Sequence, residues 1–145
     1  TNGCRREPIW IVHEAKGFAH GTAKWGPRKV MLGPMESYNF ATTGGGPASF
    51  LWAKAGCDAH GESCAIGEGE PCSAQGCTPG VDTKLEAIFG DREDDMLFMG
   101  LADGFTLPFR MEINGHCRAG PSEFSERVLD CSRLSTDRCP IAEDL

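Results

Sequence analysis

The segment "CDAHGESCAIGEGEPCSAQGC", residues 57–77, carries four cysteines, and Ile66 is its only large apolar side chain. So little apolar surface cannot make a core strand or helix, so the segment must be held by metal, by redox chemistry or by covalent staples. Its spacing is C-x6-C-x7-C-x4-C. Tetrahedral zinc sites draw their ligands from close pairs on tight turns. Only Cys72 and Cys77 form such a pair, and the half-site Cys57–His60 lacks a matching half. There is no C-x-x-C redox motif. Disulfides remain, and with them an oxidising compartment. Adjacency pairs Cys57 with Cys64 and Cys72 with Cys77, each short loop contributing about 2–3 kcal/mol through the entropy of the unfolded chain. The other cysteines, Cys4, Cys117, Cys131 and Cys139, leave three connectivities open. The preferred set is Cys4–Cys139, a long loop of roughly 5 kcal/mol, with Cys117–Cys131.

A chain of 145 residues suits one domain, 1–145, and can bury a real core without needing cysteines merely to fold. No window reaches eighteen apolar residues, so no helical membrane span is expected. The sequence opens "TNGC", without a basic stretch and apolar run, so an exported form is expected to have shed its signal already. The formal net charge of −7 is uneven. Residues 1–30 hold six bases and two acids, whereas residues 58–103 hold eleven acids and two bases. That acidic middle opposes a phosphate-tracking surface, so nucleic acid is not an expected partner. Its plain reading is a solvated face that favours solubility.

The apolar pattern is strand-like. In "SFLWAK" (49–54), Phe50, Trp52 and Lys54 share a side. In "KLEAIF" (84–89), Leu85, Ala87 and Phe89 lie opposite Lys84, Glu86 and Ile88. The clearest alternation is "GFTLPFRMEI": Phe105, Leu107, Phe109, Met111 and Ile113 on one face, Thr106, Pro108, Arg110 and Glu112 on the other. It predicts a half-buried strand with an edge or bulge at Pro108. "PIWIVHEA", "KVMLG" and "ESYNFATT" are weaker strands, and Gly- and Pro-containing stretches such as "TTGGGP" and "TPGVD" mark turns. The one helical pattern is "PSEFSERVLDC", with Ser122 as N-cap and Phe124, Val128 and Leu129 as its apolar positions. Many short strands between turns imply an all-β sandwich or barrel with little helix. The cysteine-rich loop 57–77 is then a surface excursion between two strands.

These residues together resemble a family. "FLWAKAGCDAHGESCAIGEGEPCSAQGCTPGVDTKLEAIFG" is similar to the central signature of thaumatin-like proteins: a Trp-x-Lys or Trp-x-Arg strand, a Cys, a Gly-rich loop with three further Cys, and a strand bearing a Glu. "ADGFTLPFRMEI" resembles the family's Asp-Gly-Phe-Asn-Leu-Pro strand, and "NGCRREPIWIVHEA" and "GPRKVMLGPMESYNF" resemble its opening. The likeness covers most of residues 2–117 and is closest to the small members, which lack a cysteine-rich second domain. It implies a two-sheet β-sandwich with disulfide-stapled loops, the bridges Cys57–Cys64 and Cys72–Cys77, and an acidic cleft. Lys54 falls where the family often has Arg, Glu86 on its Glu, and Asp103 on its Asp. A further family Asp maps to Phe98, with Asp94 and Asp95 close by. The implied binding cleft is Lys54, Glu86, Asp95 and Asp103. The segment 118–145 corresponds either to the closing Cys-Pro strand or to the opening of the absent domain.

Paired carboxylates can hydrolyse glycosides when one is held protonated and the other ionised. Glu86 and Asp103 are the only pair supported, and Lys54 beside them favours both being ionised. Binding is therefore the better expectation, with Trp25, Trp52 and Tyr38 as stacking faces and Glu86, Asp103 and Lys54 as hydrogen-bonding groups. The structural alternatives are core packing for Trp52 and a cross-strand ion pair for Lys54 and Glu86. His13, His20, His60 and His116 show no ligand spacing, and "TTGGGP" is no phosphate loop. No metal and no cofactor is expected. The resemblance implies a secreted or luminal, non-catalytic protein that binds cell-wall β-glucan or acts in antifungal defence. The alternatives are an inhibitor of a microbial glycosidase such as a xylanase, acting through "AHGES" or "GDREDD", a subunit of a larger extracellular or luminal assembly, and a weak endo-β-1,3-glucanase.

Overall fold

The computed structural model describes residues 1–15, 27–40, 48–67, 83–89, 95–101, 104–112 and 128–133. The chain divides into two compact units, Thr1–Thr106 and Leu107–Leu145. Every regular element among the described residues is a β-strand, in line with the short, turn-bounded apolar runs.

The first unit holds a five-stranded antiparallel sheet. Its strands are β1 (Ile9–Ala15), β2 (Lys29–Leu32), β3 (Ser49–Ala55), β4 (Lys84–Ile88) and β5 (Met96–Gly100), in the order β2-β1-β3-β4-β5. Directly opposed residues in a sheet share a face. The register therefore sorts the side chains without ambiguity. One face carries Ile9, Leu32, Ala53 and Ala87, all buried, together with Leu51, Leu85, Leu97 and Met99. The other carries Trp10, Val12, Glu14, Lys29, Phe50, Trp52, Lys54, Lys84, Glu86 and Phe98. On that second face Val12 and Trp52 are buried against each other, with Phe50 packed on them. Trp52 is thus a core residue, as its alternation with Phe50 indicates.

A polar knot fixes the start of the chain. Asn2 is fully buried, 0 % exposed. Its Nδ2 donates to the carbonyls of Glu7 (2.9 Å), Leu32 (3.1 Å) and Gly33 (3.1 Å), and its Oδ1 accepts the Cys4 N–H at 2.9 Å. Its backbone N–H bonds Glu36 O at 2.8 Å, and its carbonyl takes the Met35 N–H at 3.1 Å. One side chain thereby ties the start of the chain to the residues before β1 and to the end of β2.

Three expected elements differ. Residues 36–40 of "ESYNFATT" are not a strand: the Glu36 carboxylate accepts the Gly33 N–H at 2.6 Å and holds a turn instead. Of the long strand expected over 105–113, the described residues 105–112 form only β6 (Arg110–Glu112). Pro108 withdraws a donor, and upstream Thr106 is held by side chains: its N–H bonds Thr83 Oγ1 at 3.0 Å, and the Thr83 N–H bonds Thr106 Oγ1 at 3.3 Å. The helix expected through Val128 and Leu129 is absent there. Val128–Asp130 form β7, paired antiparallel with β6, so tertiary pairing overrides the helical spacing. β6 and β7 make a two-stranded sheet within the second unit, where the Arg110 guanidinium pairs with Glu112 and lies 3.9 Å from Asp130.

Candidate functional site

After β3 the chain doubles back. Ala55 and Ile66 exchange backbone hydrogen bonds of 3.0 and 3.1 Å, closing the loop between them. Within it the sulfurs of Cys57 and Cys64 stand 2.13 Å apart, at disulfide distance. Asp58 organises the tip. Its Oδ1 accepts the N–H groups of His60 (2.8 Å) and Glu62 (2.9 Å), and its backbone N–H bonds Glu62 O at 2.8 Å. Those backbone donors hold its carboxyl below the ordinary aspartate range.

This loop lies on the face of Trp10 and Lys54. Gly61 passes so close that a Cβ there would sit 2.7 Å from Trp10 Cδ2, and its φ of +74° also favours glycine. Lys54, 4 % exposed, sends its Nζ to Gly61 O at 3.0 Å and lies 3.8 Å from Glu62 Oε2. Lys29 of β2 pairs with the same Glu62 carboxylate and donates to His60 O at 3.0 Å. Two lysines from two strands therefore clamp one loop carboxylate. Sequence reasoning missed Glu62 and Lys29, because nothing in the spacing links residues 29, 54 and 62.

The expected cross-strand pair of Lys54 with Glu86 does not form. The residue opposite Glu86 on β3 is Phe50, and Lys54 lies four positions further along, about 13 Å at strand rise. Lys54 is instead committed to the loop. Asp95, exposed, directly precedes β5 and lies three residues from Phe98, on the order of 10 Å along the strand direction. Asp103 and Trp25 lie outside the described residues. The sheet thus shows no gathering of Lys54, Glu86 and Asp95.

What the register does assemble is a row across four strands: Glu14, Phe50, Glu86 and Phe98. Glu86 is half-buried between two phenyl rings, of which Phe98 is 49 % exposed. Tyr38 is exposed and meets Phe40 edge-on at 4.8 Å, while Phe40 lies 5.2 Å from the His13 ring. At the near end of the row Glu14 Oε2 is buried without a hydrogen-bond partner.

No group of three or more His, Cys, Asp or Glu side chains among the described residues is placed to hold a metal ion. No described helix is long and apolar enough to cross a membrane. Cys4 is exposed and Cys131 half-buried, and neither is bridged to another cysteine among the described residues. Their expected partners, Cys139 and Cys117, lie outside the described residues, as do Cys72 and Cys77. No family model, no curated protein and no solved structure matches this chain.

Proposed function

We propose that this chain is a secreted, non-catalytic thaumatin-like β-sandwich that binds cell-wall carbohydrate of the β-glucan type. The observation that carries the reading is the register of β4: Glu86 stands between Phe50 and Phe98 on one face. A carboxylate accepts hydroxyl protons, and flanking rings cover the apolar faces of a sugar, the combination that orients a ligand in a mostly apolar site. Phe98 occupies the position where the family resemblance implies an aspartate, so the face offers stacking surface in place of a second carboxylate. That favours binding over hydrolysis, which uses two carboxyl groups. The Cys57–Cys64 bridge supports an oxidising compartment. The test is retention on insoluble β-1,3-glucan by the wild type, by Glu86→Ala and by Phe98→Ala. The expected result is retention by the wild type and roughly tenfold weaker binding by either variant, about 1.4 kcal/mol. Equal retention of all three removes the row from the binding account.

A second reading, inhibition of a microbial glycosidase, has its own observation. The loop "AHGES" is held by Lys29, Lys54 and the Cys57–Cys64 pair, yet Ala59, His60 and Ser63 remain exposed. A loop ordered before binding loses little entropy on docking. Stoichiometric inhibition of a xylanase, abolished by His60→Glu, is the outcome this reading requires.

A further inference from the structure

The two edges of the five-stranded sheet are built differently. β2, at one edge, is flanked by Pro27 and Pro34 and carries Lys29, whose head group is tied to the loop at His60 and Glu62. Prolines, a lysine and a covering loop are the devices that keep an edge from pairing with other chains. β5, at the opposite edge among the described residues, has none of them. Its sequence, MLFMG, contains no Pro and no charge, and its register against β4 runs unbroken from Met96 to Gly100 without a bulge. Met96 is 46 % and Phe98 49 % exposed on one face, and Leu101 just beyond is 40 % exposed.

We propose that the β5 edge, Met96–Gly100, accepts an extended segment of a partner protein by strand addition, the segment being apolar on the Phe98 face and basic at its ends. Strand addition gives affinity through main-chain hydrogen bonds and specificity through alternate side chains. Residues of the added strand opposite Met96 and Phe98 would cover those two side chains. The charge of the partner follows from the chain around β5: residues 91–103 carry five acids and one base. The same charge disfavours a second copy of this chain. Two copies would bring two such acidic stretches together, and like charges repel.

The probe is a short peptide of alternating valine and threonine with Lys-Arg at each end, titrated against the full chain and followed by amide hydrogen exchange. Binding should slow exchange at amides within Met96–Gly100 and weaken as salt is raised. Met96→Lys and Phe98→Lys, each at an exposed position, should lower affinity roughly tenfold or more, with unchanged melting temperature showing that the sheet is intact. Phe98 is common to this site and to the carbohydrate reading, so the distinguishing variant is Glu86→Ala, which should leave peptide binding unchanged while weakening glucan retention. No protection in β5, equal binding of an alternately N-methylated peptide, or equal binding of a Glu-Glu-ended peptide overturns the proposal. So does a wild-type chain that sediments as a dimer whose β5 amides are already protected.

Discussion

The polar knot at Asn2 makes the sharpest stability prediction. Asn2→Ala removes the donors to three carbonyls and the acceptor for the Cys4 N–H, at a position with no solvent exposure. A buried polar group left unpaired costs about 1–3 kcal/mol. Only the Leu32 bond is buried at both ends, the others being partly exposed, so water recovers part of the loss. The expected total is roughly 2–4 kcal/mol, a large share of the ~5–15 kcal/mol of a typical domain, and a fall in Tm on the order of 10 °C. Asn2→Asp is nearly isosteric and keeps the acceptor for Cys4. It replaces the amide nitrogen with an oxygen facing the carbonyls of Glu7, Leu32 and Gly33, so at neutral pH it should be worse than Asn2→Ala. Burial among carbonyls raises the folded-state pKa of that aspartate. Stability is then greatest below the ordinary carboxyl pKa, about 3.9, and is lost as pH rises through the raised value. The assay is urea unfolding without reductant, with the denaturant slope checked for constancy. An Asn2→Asp chain as stable as wild type at neutral pH would refute the assigned amide orientation and the knot with it.

Other expectations concern the clamped loop. Gly61→Ala should cost about 2–4 kcal/mol, from the left-handed backbone and the collision with Trp10, read by the same unfolding experiment. Lys54→Met should cost about 1–3 kcal/mol, because it leaves the buried Gly61 carbonyl without its donor, while Glu62 keeps Lys29. Glu62→Ala should be the more damaging change, since it leaves both lysines facing each other across the loop; the reverse order would show that the clamp is not formed. The Asp58 carboxyl is depressed by the N–H groups of Glu62 and His60, so its contribution is complete above the ordinary carboxyl pKa and is lost as pH falls through the lower folded value. The stability gap between wild type and Asp58→Ala should therefore hold at neutral pH and close in strong acid. Full reduction should add about 8 Da if all eight cysteines are bridged in the mature protein; a smaller gain would leave Cys4 or Cys131 as thiols.

Much of the sheet is legible in the sequence. Phe50, Trp52 and Lys54 do share a face, and so do Lys84 and Glu86, because side-chain direction in a strand follows a period of two whatever the partner. The β5 run Met96–Gly100 is less legible, since five consecutive residues without a charged group show no period. Val128 and Leu129 mislead for the opposite reason: their spacing fits a helix, but only pairing with β6 decides their state.

The sequence by itself determines the β-strand character of the described elements, the alternation within β3 and β4, and a cysteine segment poor in large apolar residues. It also determines that Cys57 and Cys64 are near enough in the chain to meet. Which residue stands opposite which is a tertiary property, because register is set by packing between strands far apart in sequence. That register parts Lys54 from Glu86, turns Lys54 under the loop to Gly61 and Glu62, and seats Glu86 between Phe50 and Phe98. Local spacing cannot encode such neighbours, since a slip of one residue between two strands would put every side chain on the other face.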